Sequence, residues 1–369
     1  MKVIDADAHV EECPGTWEFL DPEFRGRKPL PLTFPENTLD GIYSRFNAVW
    51  LIEGKVFPKG QGRGYHIFAT PATSAIAHAK PMPVGAQDMT DVAARLADMD
   101  RLGIASQVVF PTLFLVTLAE ETGLERGLCQ AYNRFMGQAC AKSNGRIHFA
   151  AVVPTQCAPD AIRVAREAKE LGAVAVMVPG LLWDKPLSDD SFMPFYEELA
   201  KLELPLGIHV AWGSPSLTNI FSRPDDGAFG SFVLPVVMGF WSLMVAGVYE
   251  RFPELKVAFL EAGSEWLPYT INQLDRAYDG RFQQIKRRPS EYLRSGNIYV
   301  ACEAEEDIPY VLKFIGEDQL IMASDYPHQD PSTEPDMVRA LDEHQPRLSS
   351  EVKHKILSSN PARLYNLSI

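Results

Sequence analysis

From residue 90 onward the sequence alternates between stretches with helical apolar spacing and short, almost wholly apolar runs. In the first unit, Val92, Leu96 and Met99 repeat at the interval of one helix face, and Gly103 marks the end of that helix. The apolar run at 104–110 follows directly and is typical of a strand that is buried on both faces. A chain that repeats this unit builds a parallel sheet covered by helices.

The unit recurs to the end of the chain. Further helices are predicted near 117–142, 159–171, 191–203, 232–251, 265–285 and 307–315, and further strands at 147–153, 173–178, 206–211, 256–261, 297–302 and 319–324. With an N-terminal strand at 3–10, the sequence contains eight predicted strands. An open doubly wound sheet alternates in the same way, but the strand number and the chain length favour a closed (β/α)8 TIM-type barrel of the α/β class. We expect one barrel domain over residues 1–369.

Residues 12–88 interrupt this alternation after the first strand. The segment is rich in Pro, Gly and aromatic residues, and a hairpin is predicted at 50–57 with its turn near Gly54. We interpret the segment as an insertion into the barrel domain that could fold over the barrel mouth as a lid. Its histidines, His66 and His78, are interpreted as surface-loop residues.

Charge and cysteine content limit the expected partners and location. The formal net charge of -13 argues against nucleic acid as a partner, because phosphate groups are bound by concentrated Lys and Arg. Five scattered cysteines without a C-x-x-C pair indicate neither a disulfide framework nor a zinc knuckle, and they favour a reducing compartment. No secretory signal is expected, and no apolar run is expected to reach membrane-spanning length. We therefore expect a cytoplasmic protein with a small-molecule substrate and no membrane partner.

Acidic and imidazole side chains gather at the predicted strand ends. In the first strand Asp5, Asp7 and His9 alternate with apolar residues and share one face. His209 lies in the fifth strand, and Asp325 directly follows the eighth. Taken alone, each residue has a structural explanation as a satisfied polar group, a turn former or a loop cap. Together they meet at one barrel mouth, where two imidazoles and two carboxylates suit a divalent metal ion.

Other polar residues near strand ends are candidates for assisting roles. Glu261 ends the sixth strand and His328 follows the eighth, and both are candidate catalytic groups. Glu303 and Glu305 lie just past the seventh strand, where they are either substrate-binding residues or solvated loop acids. Asp5 lies one pleat deeper than Asp7 and is interpreted as a buried structural residue that needs a hydrogen-bonding partner.

Several motifs between Val3 and Leu367 occur together in one order. They are Ile4-Asp5-Ala6-Asp7-Ala8-His9, Gly207-Ile208-His209, Phe252-Pro253-Glu254-Leu255-Lys256, Glu261-Ala262-Gly263-Ser264-Glu265-Trp266-Leu267-Pro268-Tyr269, Ser324-Asp325-Tyr326-Pro327-His328 and Asn360-Pro361-Ala362-Arg363. In these motifs the sequence resembles the amidohydrolase-related family. That family is the branch of the amidohydrolase superfamily that includes aminocarboxymuconate-semialdehyde decarboxylase and the resorcylate-type aromatic acid decarboxylases.

The resemblance implies one divalent metal ion, zinc or manganese, held by Asp7, His9, His209 and Asp325. The fourth strand offers no lysine that could bridge two metals, so the two-metal version of the superfamily site is not expected. Two residues depart from the family pattern. Asp7 stands where many relatives have His or Glu, which makes the site more oxygen-rich and favours manganese. Glu261 stands near the position of a catalytic His, so it either replaces that base or orients a ligand.

The sequence therefore predicts a metal-dependent hydrolase or carbon–carbon lyase, that is, a decarboxylase, for a small carboxylated substrate that is cyclic or aromatic. Asp325 is expected to act both as a ligand and as a proton carrier. The alternative is an inactive barrel that serves as a binding or scaffold protein. The apolar helix around Phe232 and Phe240 could pack internally or against a second subunit, so a homodimer is one possible assembly.

Overall fold

Eight parallel strands form the barrel that the alternation predicted. The computed structural model describes residues 1–35, 47–60, 62–66, 69–278 and 281–368. In chain order the strands are β1 (Val3–Val10), β2 (Leu30–Thr33), β3 (Ala48–Ile52), β4 (Lys55–Phe57), β5 (Ile104–Pro111), β6 (Ile147–Val152), β7 (Ala175–Pro179), β8 (Leu181–Leu182), β9 (Lys185–Pro186), β10 (Leu206–His209), β11 (Val257–Leu260), β12 (Ile298–Cys302) and β13 (Leu320–Met322). The barrel order is β1-β5-β6-β7-β10-β11-β12-β13, and each adjacent pair is parallel.

The barrel closes between β1 and the segment just beyond β13. Asp325 N donates a hydrogen bond to Asp7 O at 3.1 Å, and His9 N donates one to Tyr326 O at 2.6 Å. These bonds continue the sheet past the last regular strand, so no edge stays open there. Closure therefore fixes three of the predicted metal ligands directly by their backbone atoms.

Asp5 supports the same seam from inside the barrel. Its carboxylate is fully buried and accepts hydrogen bonds from Ser324 N at 2.9 Å, Ser324 Oγ at 2.5 Å and Gln107 Nε2 at 2.8 Å. The buried Arg95 donates to Gln107 Oε1 at 2.8 Å and to the carbonyl of His9 at 3.1 Å. The prediction that Asp5 is a buried structural residue with hydrogen-bonding partners is confirmed.

Helices connect the barrel strands and cover their outer surface. They are α1 (Ala75–Ala79), α2 (Val84–Gln87), α3 (Val92–Arg101), α4 (Thr122–Cys140), α5 (Ala158–Glu170), α6 (Met193–Leu202), α7 (Pro215–Thr218), α8 (Pro224–Gly227), α9 (Leu234–Val245), α10 (Val248–Arg251), α11 (Trp266–Tyr278), α12 (Pro289–Leu293), α13 (Ile308–Ile315), α14 (Met337–His344), α15 (Ser350–His354) and α16 (Asn360–Tyr365). Two predicted helices differ most from the structure. The helix near 232–251 is divided into a π-helical turn at Ala228–Val233, α9 and α10, because Pro235 lacks an N–H and Gly247, with φ 70°, ends α9. The helix near 265–285 ends at Tyr278.

One stretch within the described residues, Ala228–Val245, is long and apolar enough to cross a membrane by length and composition. The expectation that no apolar run reaches this length is therefore wrong. Half of the stretch is buried inside the protein, and α9 packs against β7, β10 and β11 of the barrel. Its apolar character follows from this packing, since a helix that is buried on several sides needs few polar residues.

The described part of the insertion contains a small antiparallel sheet of β2, β3 and β4. The predicted hairpin is confirmed: β3 and β4 turn at Glu53 and Gly54, which have φ of 51° and 74°. The insertion packs against loops at the carboxyl end of the barrel, and a cavity of about 510 Å³ between them is lined by His66 and Trp212, among others. His78 is exposed as expected, but His66 is only 7% exposed, so the surface-loop interpretation of His66 is wrong.

Candidate metal centre

Side chains from four strands converge at the carboxyl end of the barrel. Asp7 and His9 lie in β1, His209 is the last residue of β10, Glu261 directly follows β11, and Asp325 lies three residues beyond β13. The structure thus places the four predicted ligands at one end of the barrel with Glu261 among them, and Asp325 forms a second group of close ligand atoms with His9, Glu261 and His328. One ligand atom from each of Asp7, His9, His209 and Glu261 lies within 4.8 Å of the other three.

The distances between these atoms match those of atoms that share one ion. His9 Nε2 lies 3.4 Å from Asp7 Oδ1, 3.4 Å from Glu261 Oε2 and 3.5 Å from Asp325 Oδ1. His209 Nε2 lies 3.1 Å from Asp7 Oδ2 and 3.2 Å from Glu261 Oε2. Metal bonds of about 2.0–2.2 Å place neighbouring ligand atoms roughly 2.8–3.6 Å apart.

Backbone carbonyls orient both imidazoles. His9 Nδ1 lies 3.0 Å from the carbonyl oxygen of Pro111, and His209 Nδ1 lies 2.9 Å from that of Val210. A carbonyl oxygen only accepts hydrogen bonds, so each Nδ1 carries a proton, and in the neutral form of the ring Nε2 presents its lone pair to the cluster. Such support from the far side of the ring is typical of histidines that bind metals.

Four buried atoms of the cluster have no hydrogen-bond partner: Asp7 Oδ1, His9 Nε2, His209 Nε2 and Glu261 Oε2. Leaving a buried polar atom unsatisfied costs roughly 1–3 kcal/mol. Four such atoms at one point, all of them able to donate electron pairs, are explained together by one cation. The residues present therefore fit a divalent metal ion.

Asp325 differs from the other carboxylates because both of its oxygens have partners. Oδ1 lies 2.6 Å from His328 Nδ1, while Oδ2 accepts hydrogen bonds from Thr333 Oγ1 at 3.0 Å and Ser332 Oγ at 3.3 Å. On its other side His328 Nε2 lies 2.9 Å from Thr112 Oγ1. Asp325 thus joins the metal cluster to a buried chain of polar groups that can hold a proton.

The surroundings shift the pKa values of these groups. Burial lowers the pKa of His9 well below its ordinary value, and His328 and His209 add to this effect, so the imidazole of His9 is neutral. Burial raises the pKa of Glu261 well above its ordinary value, and the charges of Asp325 and Asp7 act in the same direction. Burial would lower the pKa of His328, but the neighbouring Asp325 carboxylate raises it overall. Neighbouring carboxylates raise one another's pKa because their negative charges repel. A bound cation would stabilise their ionised forms.

Left-handed backbone conformations turn two of the carboxylates into the cluster. Glu261, directly after β11, has φ of 56°, and Asp325, three residues beyond β13, has φ of 54°. This region is unfavourable for residues other than glycine and costs about 1–3 kcal/mol when the structure imposes it. Strain of this kind at two residues of the cluster is typical of a functional site.

A cavity of about 140 Å³ opens beside the cluster. Its walls are Asp7, Glu261, Gly263, Ala301, Cys302, Glu303, Ala304, Glu305, Ala323, Asp325, Pro331, Ser332, Thr333 and Glu334. The structure therefore places the predicted substrate-binding residues Glu303 and Glu305 on the same cavity as three of the cluster carboxylates. Six lining residues are acidic, and none of the residues in this set is Lys, Arg or His.

Sequence reasoning missed three residues of the site. Thr112 directly follows β5, so the argument from strand ends could have identified it. Ser332 and Thr333 lie in the loop after β13, and a pair of hydroxyl residues in a loop carries no signal of its own. Both reach Asp325 only through the tertiary fold.

The sequence matches the family described as Amidohydrolase over residues 4–367. The chain belongs to this family. An amidohydrolase of Mycobacterium avium subsp. paratuberculosis K-10 has a similar structure, with a TM-score of 0.77 and 23% identity over 100% of this chain and 98% of that one. The barrel architecture of this amidohydrolase is thus found in a solved structure.

Two decarboxylases are also similar. 5-Carboxyvanillate decarboxylase of Novosphingobium aromaticivorans DSM 12444 has a TM-score of 0.69 at 22% identity, covering 99% of this chain and 97% of that one; its structure contains manganese and 3-methoxy-4-hydroxy-5-nitrobenzoic acid. 2-Amino-3-carboxymuconate-6-semialdehyde decarboxylase of Dictyostelium discoideum is 24% identical over 243 residues. That match covers 63% of this chain and 66%, just under two thirds, of the relative.

Proposed function

We propose that this amidohydrolase is a metal-dependent decarboxylase of a small carboxylated substrate that is cyclic or aromatic. The observation that carries the proposal is the set of four unpartnered buried donor atoms at the barrel mouth. In TIM barrels this end of the strands carries the active site. The alternative of an inactive scaffold has less support, because a scaffold gains nothing from donor atoms that remain unsatisfied.

Similar proteins support decarboxylation over hydrolysis. The relatives from Dictyostelium discoideum and Novosphingobium aromaticivorans are both named decarboxylases. The second has manganese and a substituted benzoic acid in its structure. A carboxylated aromatic substrate and a manganese ion are therefore the first choices for this chain as well.

Asp7, His9, His209 and Asp325 would hold the metal. When bound, a divalent ion supplies a positive charge that holds a substrate oxygen and stabilises negative charge developing on it. The cavity makes this charge important, because its six acidic lining residues offer a carboxylated substrate no cationic side chain of their own. Asp7, Glu261 and Asp325 line the cavity directly, so a molecule in it contacts the cluster.

Asp325 and His328 are the groups best placed to handle a proton. Their contact at 2.6 Å holds one proton between Asp325 Oδ1 and His328 Nδ1, and Thr112 fixes the far side of the imidazole. In decarboxylation of an aromatic acid, the ring carbon that bears the carboxylate accepts a proton. The bond to that carboxylate then breaks, carbon dioxide leaves, and the electron pair returns to the ring. Asp325, which faces the cavity, is the proposed donor of that proton.

A substrate screen with isotope analysis tests the proposal. Manganese-loaded protein is incubated with a panel of hydroxylated and amino-substituted benzoic acids, lactones and amides in water enriched in oxygen-18. We expect carbon dioxide release from at least one aromatic acid, with no solvent oxygen in the aromatic product. Incorporation of oxygen-18 into a lactone or amide product would instead establish hydrolysis. Less than about half an equivalent of metal in native protein would favour the scaffold alternative.

A further inference from the structure

We propose that Glu261 is itself a ligand of the metal, so that three carboxylates and two imidazoles surround one ion. This inference rests on the metal centre of the proposed function and assigns a different role to Glu261 from that of a general base. It concerns how the ion is held and which ion is preferred, and it holds whichever reaction the centre supports.

The orientation of Glu261 is the first argument. Its side chain is 6% exposed, and Oε2 lies 3.4 Å from His9 Nε2 and 3.2 Å from His209 Nε2 without a hydrogen bond to either. Each ring holds its Nδ1 proton against a carbonyl oxygen, so in the neutral ring it is Nε2 that presents a lone pair to Glu261. A carboxylate oxygen that faces two lone pairs is repelled unless a cation lies between them. A general base would instead direct its free oxygen at water or substrate.

The contrast with Asp325 is the second argument. The Asp325 oxygens already have His328, Thr333 and Ser332 as partners, whereas Glu261 Oε2 has none. By the criterion of unsatisfied buried atoms, Glu261 fits the ligand role at least as well as Asp325. Glu261 also belongs, with His9, to both groups of ligand atoms that lie within 4.8 Å of one another, whereas Asp7 and Asp325 belong to one group each.

Three carboxylate ligands change the character of the centre. Together they bring three negative charges to an ion of charge two, so the filled centre keeps an excess negative charge. Carboxylate oxygen suits manganese and magnesium, whereas zinc prefers nitrogen and sulfur ligands in a tetrahedral site. We therefore infer that the carboxylate at position 261 raises the affinity of the site for manganese relative to zinc. A site with an imidazole at this position would have a lower ratio of the two affinities.

Metal titration of matched variants tests this assignment. Glu261→Gln keeps the shape of the side chain but removes its charge, and Glu303→Gln does the same to a carboxylate of the same cavity that lies outside the ligand groups. Isothermal titration calorimetry with MnCl2 on metal-free protein gives the affinity, and the electron paramagnetic resonance spectrum of bound Mn(II) reports its ligands. We expect at least about a hundredfold weaker binding for E261Q, beyond the roughly 10–100-fold effect of residues that only orient ligands. For E303Q we expect less than about a threefold change.

The metal-free fold provides a second readout. Glu261 Oε2 has no hydrogen-bond partner in the metal-free fold, so E261Q removes no bond from that oxygen and is expected to leave the metal-free protein at least as resistant to urea as the wild type. A merely structural role for Glu261 predicts the opposite. Glu261→Asp, which keeps the charge on a shorter side chain, is expected to bind manganese with an affinity between those of E261Q and the wild type.

Each outcome separates this inference from the proposed function. Wild-type affinity in E261Q, with an unchanged spectrum of bound Mn(II), overturns the ligand assignment and leaves decarboxylation standing. Lost affinity in E261Q supports the assignment even if the substrate screen finds no decarboxylation. A wild-type protein that binds neither manganese nor zinc overturns both.

Discussion

His209 connects the barrel to the proposed metal through a single nitrogen atom. Its Nε2 faces the cluster, while its Nδ1 donates a hydrogen bond to Val210 O. The ring stacks on that of Phe110, with 5.5 Å between the ring centroids. We expect His209→Ala to lower manganese affinity at least about a hundredfold, because it removes a direct ligand and should exceed the roughly 10–100-fold effect of residues that only orient ligands. The pairing of β10 with its neighbouring strands is made by backbone atoms, so far-ultraviolet circular dichroism should change little. Metal content by mass spectrometry after gel filtration is the measurement.

The exposed His78 in the insertion gives the matched control. His78→Ala should keep full metal content, since this side chain lies away from the cluster. Stoichiometric manganese in the His209→Ala protein would show that the ligand assignment is wrong.

Glu12 is a buried acid two residues beyond β1, and it makes the stability of the fold depend on pH. Burial raises its pKa to about 8, although Leu113 N donates to its Oε2 at 2.7 Å. The folded protein therefore keeps the Glu12 proton between pH 4.5 and about 8, whereas the unfolded chain has lost it. The contribution of Glu12 to stability is full below pH 4.5 and is lost as the pH rises to about 8. At about 1.4 kcal/mol per pKa unit, the loss should exceed 2 kcal/mol.

Glu12→Gln mimics the protonated acid and keeps an oxygen for the Leu113 N–H. Urea unfolding at pH 5.5 and at pH 8.5 should show that the stability of E12Q relative to the wild type is clearly greater at the higher pH. Glu18→Gln, at an exposed acid paired with Lys28, serves as the control and should show no such gain. An equal difference between E12Q and the wild type at both pH values would contradict the shift.

At the same scale, the sequence predicted which residues meet but not how they are bonded. Alternation in β1 puts Asp7 and His9 on one face, and the strand-end argument adds His209 and Asp325. It did not predict the place of Glu261 among the ligand atoms, because that depends on the left-handed φ of 56° at this residue. Short-range patterns do not determine a backbone conformation that the surrounding fold imposes.

At the scale of elements, a buried ion pair ties the insertion to the barrel. Lys80 directly follows α1 of the insertion and Glu11 directly follows β1, and their Nζ and Oε1 atoms lie 2.7 Å apart. The side chains are only 7% and 10% exposed. Breaking a buried pair leaves one charge uncompensated and costs about 3 kcal/mol. We expect Lys80→Met to destabilise the protein by about this amount and to make the insertion more sensitive to limited proteolysis.

A double-mutant cycle isolates the pair. Glu11→Gln combined with Lys80→Met removes both charges, so the double variant should recover more than about 1 kcal/mol relative to the sum of the single variants. Urea denaturation provides the three differences. Strict additivity would show that the two side chains do not interact in solution.

Predictability also differs between strands and helices. All eight barrel strands lie where apolar runs predicted them, because burial on both faces leaves little freedom in composition. Helix boundaries were less predictable. Helix α4 begins at Thr122 rather than near 117, since the Glu121 side chain caps it by accepting from the N–H groups of Gly123 and Leu124. Apolar spacing carries no information about such a cap.

At the scale of the whole molecule, the hydrogen bonds that close the barrel also bring the residues of the site together. The seam bonds join Asp7 to Asp325 and His9 to Tyr326, and Asp5 holds the same segment from below. Residues proposed as ligands that are far apart in the chain are thereby held near one another by bonds of the protein itself. The strand count allowed this topology to be predicted from the sequence. The hydrogen bonds between β1 and the segment beyond β13 could not be predicted, because they form only when the barrel closes.

The same closure gathers acidic residues on one cavity, and this sets a preference for substrate charge. Besides the three cluster carboxylates, Glu303, Glu305 and Glu334 line the cavity. A substituent that enters it away from the metal meets negative charge, so a second carboxylate should be repelled and an amino group favoured. Unit charges about 4 Å apart near a protein surface interact by roughly 1–4 kcal/mol.

Two rigid ligands of similar size measure this preference. With manganese-loaded protein, 4-aminobenzoate should bind at least about fivefold more tightly than benzene-1,4-dicarboxylate, which corresponds to about 1 kcal/mol. Both carry a carboxylate for the metal and differ only in the charge at the far end of the ring. In a Glu303→Gln, Glu305→Gln double variant the ratio should fall toward one, because these carboxylates repel the second anion. Tighter binding of the dicarboxylate to the wild type would mean that a cationic group outside this cavity receives it, and the acidic lining would then have no part in substrate selection.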